Sequence, residues 1–146
     1  MTNPTPGTSA RSGNAWRSIG AVIGGFVAVF AITTIVDEVL HVLHVYPPWG
    51  QPMYEPGLNA LALSYRIVIT IAGAYLTARL APRNPMRHAL VLGVIGTLAA
   101  IGGAIAFIPK HMGPNWYPIA IAVTGLPCCW LGGLLYQAKH SEGSSL

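Results

Sequence analysis

A chain of 146 residues forms one folding unit, with no room for a second domain. Charged residues make up only 8% of it and apolar types 53%, against about 25% charged residues in soluble domains, so it has too little polar surface to clothe a water-soluble globule. The net charge of +4 comes from basic residues that flank apolar segments, as in membrane proteins, and nucleic acid is not an expected partner.

Residues 1–15, rich in Pro, Ser, Thr, Gly and Asn, predict a disordered segment. The first apolar stretch, about 17–45, is long enough to cross a hydrocarbon core. Its core, "IGAVIGGFVAVFAITTIV", outruns the roughly 7–15 apolar residues of a secretory signal. No convincing cleavage site follows, so it reads as an uncleaved helix. Towards its end Asp37, His41 and His44 recur at i, i+4 and i+7, on one stripe flanked by Thr33 and Thr34. Glu38 lies about 60° round the helix from His41. Lipid cannot be what this stripe faces.

Asp37 stands roughly 30 Å along the helix from Arg17, which puts it near the far edge of a bilayer. The loop "YPPWGQPMYEPG" then ends the helix, because proline cannot continue the hydrogen-bond ladder. It reads as a stiff cap over the hairpin, with a lid over the acid cluster as the alternative.

The second helix is expected at about 58–79. It carries Arg66 in an otherwise apolar run, on a polar-or-small stripe with Asn59, Thr70, Gly73 and Thr77. An unpaired arginine in lipid costs about 2.5–3.5 kcal/mol, so Arg66 is expected to pair with Asp37 or Glu38, with His41 close by. Two acids against one arginine leave a surplus for a proton, a histidinium, a metal or a bound cation to meet.

The third and fourth helices are expected at about 87–108 and 116–137. Small residues recur on helix 1 (Gly20, Gly24, Gly25, Ala28), on helix 3 (Gly93, Gly96, Thr97, Ala100, Gly103, Ala104) and on helix 4 (Thr124, Gly125, Cys128, Gly132, Gly133). They read as helix-packing surfaces. Pro127 predicts a kink. The adjacent Cys128 and Cys129 read as structural thiols, since neighbouring cysteines form only a strained bond. Residues 139–146 form a polar tail. Short connections make successive helices antiparallel, giving an all-α integral membrane protein: a four-transmembrane-helix up-down antiparallel bundle. Arg11, Arg17, Arg79, Arg83, Arg87 and Lys139 fall at one end and Lys110 at the other, which places both termini in the cytoplasm. Trp49, Tyr54, Trp116 and Tyr117 then read as interfacial aromatics on the outer side.

Glu38 and His41 have the Glu-x-x-His spacing of carboxylate-bridged di-iron bundles, but no second copy exists, and His-Glu-x-x-His is absent. A mononuclear metal site could draw on His41, His44, Asp37 or Glu38, and His111, with Met53 and Met112 nearby suggesting copper. A haem would have only His41 or His44 with His111. No cofactor is expected, with a bound metal ion as the alternative.

Three stretches, "VDEVLHVLHVYPPWGQPM", "LALSYRIVITIAGAYLTARLAPRNPMRHALVLG" and "HMGPNWYPIAIAVTGLPCCWLGG", resemble a group of small, uncharacterised four-helix bacterial inner-membrane proteins. The resemblance covers most of the chain after residue 15 and implies fold and location, with no activity. Small multidrug transporters also carry an acid on the first of four helices, but theirs lies near mid-membrane and the motifs differ.

The first expectation is therefore a structural or accessory membrane subunit, with enzymatic activity left open, acting as a homo-oligomer or within a larger membrane complex. The alternatives are proton-linked binding or transport of a small ligand at Asp37, Glu38, His41, His44, Arg66 and Asn59, and metal binding through His41 and His44 with Glu38 and His111.

Overall fold

A computed structural model describes residues 9–142, with side chains from 14 to 141. Four helices, α1 (Ser9–Val42), α2 (Pro56–Leu80), α3 (Pro85–Phe107) and α4 (Trp116–Glu142), are joined by three connections, and a short 3-10 turn, Ile108–Lys110, follows α3. No strand occurs among the described residues. All four helices are long and apolar enough to cross a membrane.

Helix ends follow local chemistry. Pro56 and Pro85 occupy first-turn positions of α2 and α3, where a missing N–H costs nothing. The expected disorder over 1–15 falls partly outside the described residues, and from Ser9 onward the chain is already helical. Helix α4 likewise runs past the expected end at 137.

Helix α1 stops earlier than the apolar run suggests. His44 adopts a left-handed conformation, φ 57°. Its N–H bonds the His41 carbonyl (3.0 Å) and the Val45 N–H bonds the Leu40 carbonyl (3.0 Å). This is a Schellman cap, with histidine where glycine is usual.

Contacts between helices run in two senses. Gly25 of α1 lies against Thr77 and Gly73 of α2, while Asp37 meets Arg66, so this pair is antiparallel. Gly93 meets Cys129 and Leu126, and Gly133 meets Met86 and Ala89, so α3 and α4 are antiparallel too. Helices α2 and α4 lie parallel, with Gly132 on Ala74 and Tyr75 beside Tyr136. Helix α4 packs chiefly on α3 and α2, and α1 packs on α2 and α3. The helices therefore surround the axis in the order α1, α2, α4, α3, not in chain order.

The bundle has two unlike ends. The termini and the 81–84 turn share one end, and the 43–55 and 108–115 connections share the other, called here the cap end. Towards the termini a core of Ala74, Ala89, Leu92 and Cys129, flanked by Val22 and Phe26, closes the interior. At the cap end the two connections lock together: Met53 N–H donates to the Met112 carbonyl (2.8 Å), and the Tyr54 hydroxyl to the His111 carbonyl (2.7 Å). Between these closures the helices separate.

The small residues divide accordingly. Gly25, Gly93, Gly125, Gly132 and Gly133 are packing contacts as expected, but Gly20, Gly24, Gly96 and Gly103 have no neighbour within 4 Å of a Cβ. Gly132→Ala would set its methyl 2.7 Å from the Ala74 Cβ and should cost about 1–3 kcal/mol. Gly103→Ala meets nothing and should be neutral or stabilising, by up to about 1 kcal/mol. Unfolding of both variants in detergent micelles checks the contrast.

Candidate functional site

On α1 the residues facing α2 recur at near-fourfold spacing: Ala21, Gly25 and Thr33 are buried, and Asp37 continues the line. On α2, Asn59, Gly73 and Thr77 are buried as the stripe predicted. Antiparallel packing brings Asp37 level with Arg66, whose Nη2 donates to Asp37 Oδ2 at 2.6 Å. The two side chains are only 30% and 19% exposed for Arg66 and Asp37. The expected ion pair forms, and its acid is Asp37. Glu38 points about 100° away round the helix and is exposed, so the surplus acid stays outside this site.

Three tyrosines surround the pair, and the sequence reading assigned none of them to it. The Tyr65 hydroxyl donates to Asp37 Oδ1, and the Tyr46 hydroxyl donates to Tyr65 at 3.3 Å. Both carboxylate oxygens of Asp37 therefore accept a hydrogen bond. Tyr46 sits 5% exposed, and its burial pushes the hydroxyl above its ordinary value near 10. Tyr117 adjoins the Arg66 guanidinium and lines the interior, so it is not the interfacial aromatic expected. The available signal for Tyr65 was its place beside Arg66 in "SYR", and for Tyr46 its place in the Pro-rich loop.

The histidines do not converge. His41 stays near the pair, with its Nδ1 2.8 Å from the Asp37 carbonyl oxygen. Trp49 stacks flat on it at 3.9 Å, and Tyr46 approaches it edge-on at 5.4 Å. The Pro-rich loop thus closes over the hairpin as a cap. His44 leaves the stripe because it caps α1, and it is exposed. His111, also exposed and left-handed (φ 51°), ends the 3-10 turn. Among the described residues no three of His, Cys, Asp and Glu stand close enough to hold a metal. His41, His44, Glu38 and His111 are therefore not a ligand set. Asn59 is also reassigned: its amide donates to the carbonyls of Met53 (3.0 Å) and Glu55 (2.9 Å), holding the loop to α2.

Beneath the cap lies a cavity of about 630 Å³ bounded by all four helices, within the roughly 300–1,000 Å³ typical of ligand sites. Asp37, Arg66 and Tyr117 border it at the cap end, and Cys128 and Cys129 border it deeper down. Both cysteines are free thiols. Most of its wall is apolar, and Gly96, Ala100 and Gly103 of α3 leave it wide. One polar group in this setting lacks a partner: Arg66 Nε is buried without a hydrogen bond. Such an orphan donor costs about 1–3 kcal/mol if nothing accepts from it. Nε itself is enclosed, and the part of Arg66 that borders the cavity is the rest of a side chain that keeps 30% exposure, beside Tyr117.

The chain matches no known protein family, no characterised protein and no solved structure. The resemblance to small four-helix membrane proteins thus rests on its own residues.

Removing either partner of the pair strands a charge among apolar helices. Asp37→Asn and Arg66→Gln should each lower stability by about 2–3 kcal/mol, and the double variant should recover at least half of their summed loss. A double-mutant cycle on unfolding in micelles reads this coupling.

Proposed function

We propose that the protein is a multi-pass membrane protein that binds a small molecule in the cavity between its helices, with the Asp37–Arg66 pair at the polar end. One observation carries this reading: a largely apolar cavity of about 630 Å³ is bordered by Arg66, which bonds Asp37 through Nη2 and keeps 30% of its side chain exposed. An ion pair that served only to pin α1 to α2 would need no space beside it. Ligand sites combine apolar walls with a few placed polar groups, as here. The Asp37–Arg66 pair, with Tyr65 and Tyr117, takes the place of the wider cluster of acids and histidines in the sequence reading.

The setting belongs to the same proposal. Arg17, Arg79, Arg83, Arg87 and Lys139 gather at the end bearing the termini, and Lys110 stands at the cap end. By the positive-inside rule the termini are cytoplasmic and the cap end faces outward, in a bacterial inner membrane. A second reading, an accessory subunit or homo-oligomer, is favoured by the exposed Gly20 and Gly24 on α1, which have nothing against them and would suit a partner helix.

Alkaline phosphatase fused after Gln51 should be active and fused after Asn84 inactive, with green fluorescent protein at the C-terminus fluorescent. The reverse pattern would invert the orientation. For binding, native mass spectrometry of the protein from mild detergent should find a non-covalent adduct of a few hundred daltons. Gly96→Leu, whose Cβ meets nothing within 4 Å and whose side chain takes up volume at the cavity wall, should remove it. An adduct equally present in Gly96→Leu, or absent from both, would overturn the binding reading.

A further inference from the structure

The cavity has one side that is not walled off. Each helix residue from α2 and α4 that lines it is buried or half-buried, including Leu63, Thr70, Ile121 and Thr124. On α1 and α3 the lining includes exposed residues. Phe30 is 68% exposed and Phe107 is 58% exposed, with Thr34 and Ala99 exposed between them. Residues that border a cavity and the outer surface at once mark its mouth. Near the termini Val22 and Phe26 of α1 pack on a core that includes Ala89 and Leu92 of α3, and the exposed lining residues lie beyond it towards the cap end. The cap closes the top, through the bonds of Met53 to Met112 and of Tyr54 to His111. The opening is therefore lateral, between two helices whose outer faces are apolar.

Resting on the binding reading above, we propose that the ligand is a bilayer-resident amphiphile that reaches the cavity sideways, through the α1–α3 gap. Its head group is a hydrogen-bond acceptor of carbonyl type. The head chemistry follows from which groups are already satisfied. Asp37 accepts from Arg66 and from Tyr65, so its acceptor capacity is engaged. Arg66 spends Nη2 on Asp37 and keeps 30% of its side chain exposed, and Tyr117 stands beside it on the cavity wall. The spare capacity is donor capacity, and the pair's charges cancel, so a carbonyl oxygen fits without a counter-ion. Gly96, Ala100 and Gly103, which would otherwise close the space, leave an apolar channel from the mouth towards Arg66. An acyl chain lies in that channel, between Phe30 and Phe107, with its end in the bilayer.

The test uses the full chain in phosphatidylcholine vesicles, with photoreactive diazirine analogues of palmitic acid and of its methyl ester. Adducts should map to Phe30, Thr34, Ala99 and Phe107 at least fivefold above Val68 and Val123, which are exposed residues away from the mouth. The acid and the ester separate a carboxylate head from a neutral carbonyl: enrichment with the ester is expected, and enrichment with the acid alone would overturn the head-group assignment. A Thr34→Phe/Ala99→Phe variant, which narrows the mouth and spares the pair, should abolish the enrichment. The unaltered chain should bind methyl hexanoate in detergent, read as a thermal shift. Uniform labelling, or enrichment that survives the double Phe variant, would overturn lateral access. Should methyl hexanoate bind while labelling is uniform, the cavity reading stands and this inference fails. If neither probe binds, both fail.

Discussion

A single charge pair among apolar helices sets the terms for the rest of the molecule. Arg66 cannot lie in a lipid-facing position at tolerable cost, so α2 must turn it towards α1. Asp37 answers it at 2.6 Å. That one contact fixes the rotation of both helices, and the other faces follow. Gly25 meets Gly73 and Thr77, and Thr33 is buried in the same line. The pair also fixes where the helices may part. The hydroxyls of Tyr65 and Tyr46, joined in a chain to the carboxylate, extend the polar region up to the loop. The loop in turn seats Trp49 on His41.

The order of helices around the axis matters as much as the pair. Because α4 packs on α2 and α3, helix α1 is the least embraced of the four. Its own stripe of small residues is used only in part: Gly25 touches α2, but Gly20 and Gly24 touch nothing. A bundle in chain order would have laid α1 against α4 and closed the interior. The observed order leaves α1 and α3 as neighbours joined along only part of their length, and the cavity lies in the part where they are not.

Much of this was legible in the residues, and the failures have physical causes. Four helices follow from apolar runs of span length, and the Asp37–Arg66 pair follows from helical phase and the cost of a lone charge. The stripe on α2 was also readable, since Asn59, Gly73 and Thr77 are buried. His44 was misread because helical spacing alone cannot announce that a histidine will adopt φ 57° and terminate the helix. The metal reading went with it, as did the role given to Asn59, whose amide is committed to loop carbonyls. Tyr117 was missed because nothing in a single sequence says that α4 lies beside α2, and Tyr46 and Tyr65 because helical phase locates a charge but not the hydroxyls that reach it. Gly93 of α3 packs as read, but Gly96 and Gly103 do not: periodicity shows that a face is smooth, not whether anything rests on it.

That last point bears on why the chain is not more stable than it is. A Cβ at Gly96 or Gly103 would meet nothing within 4 Å, and alanine at either would also relieve the entropy cost of glycine within a helix. A protein shaped by stability alone would drift towards such substitutions and fill its interior. Here the emptiness is encoded, residue by residue, in side chains that are missing. In α3 Gly96 and Gly103 work as spacers in negative, and what they shape is the empty volume beside them.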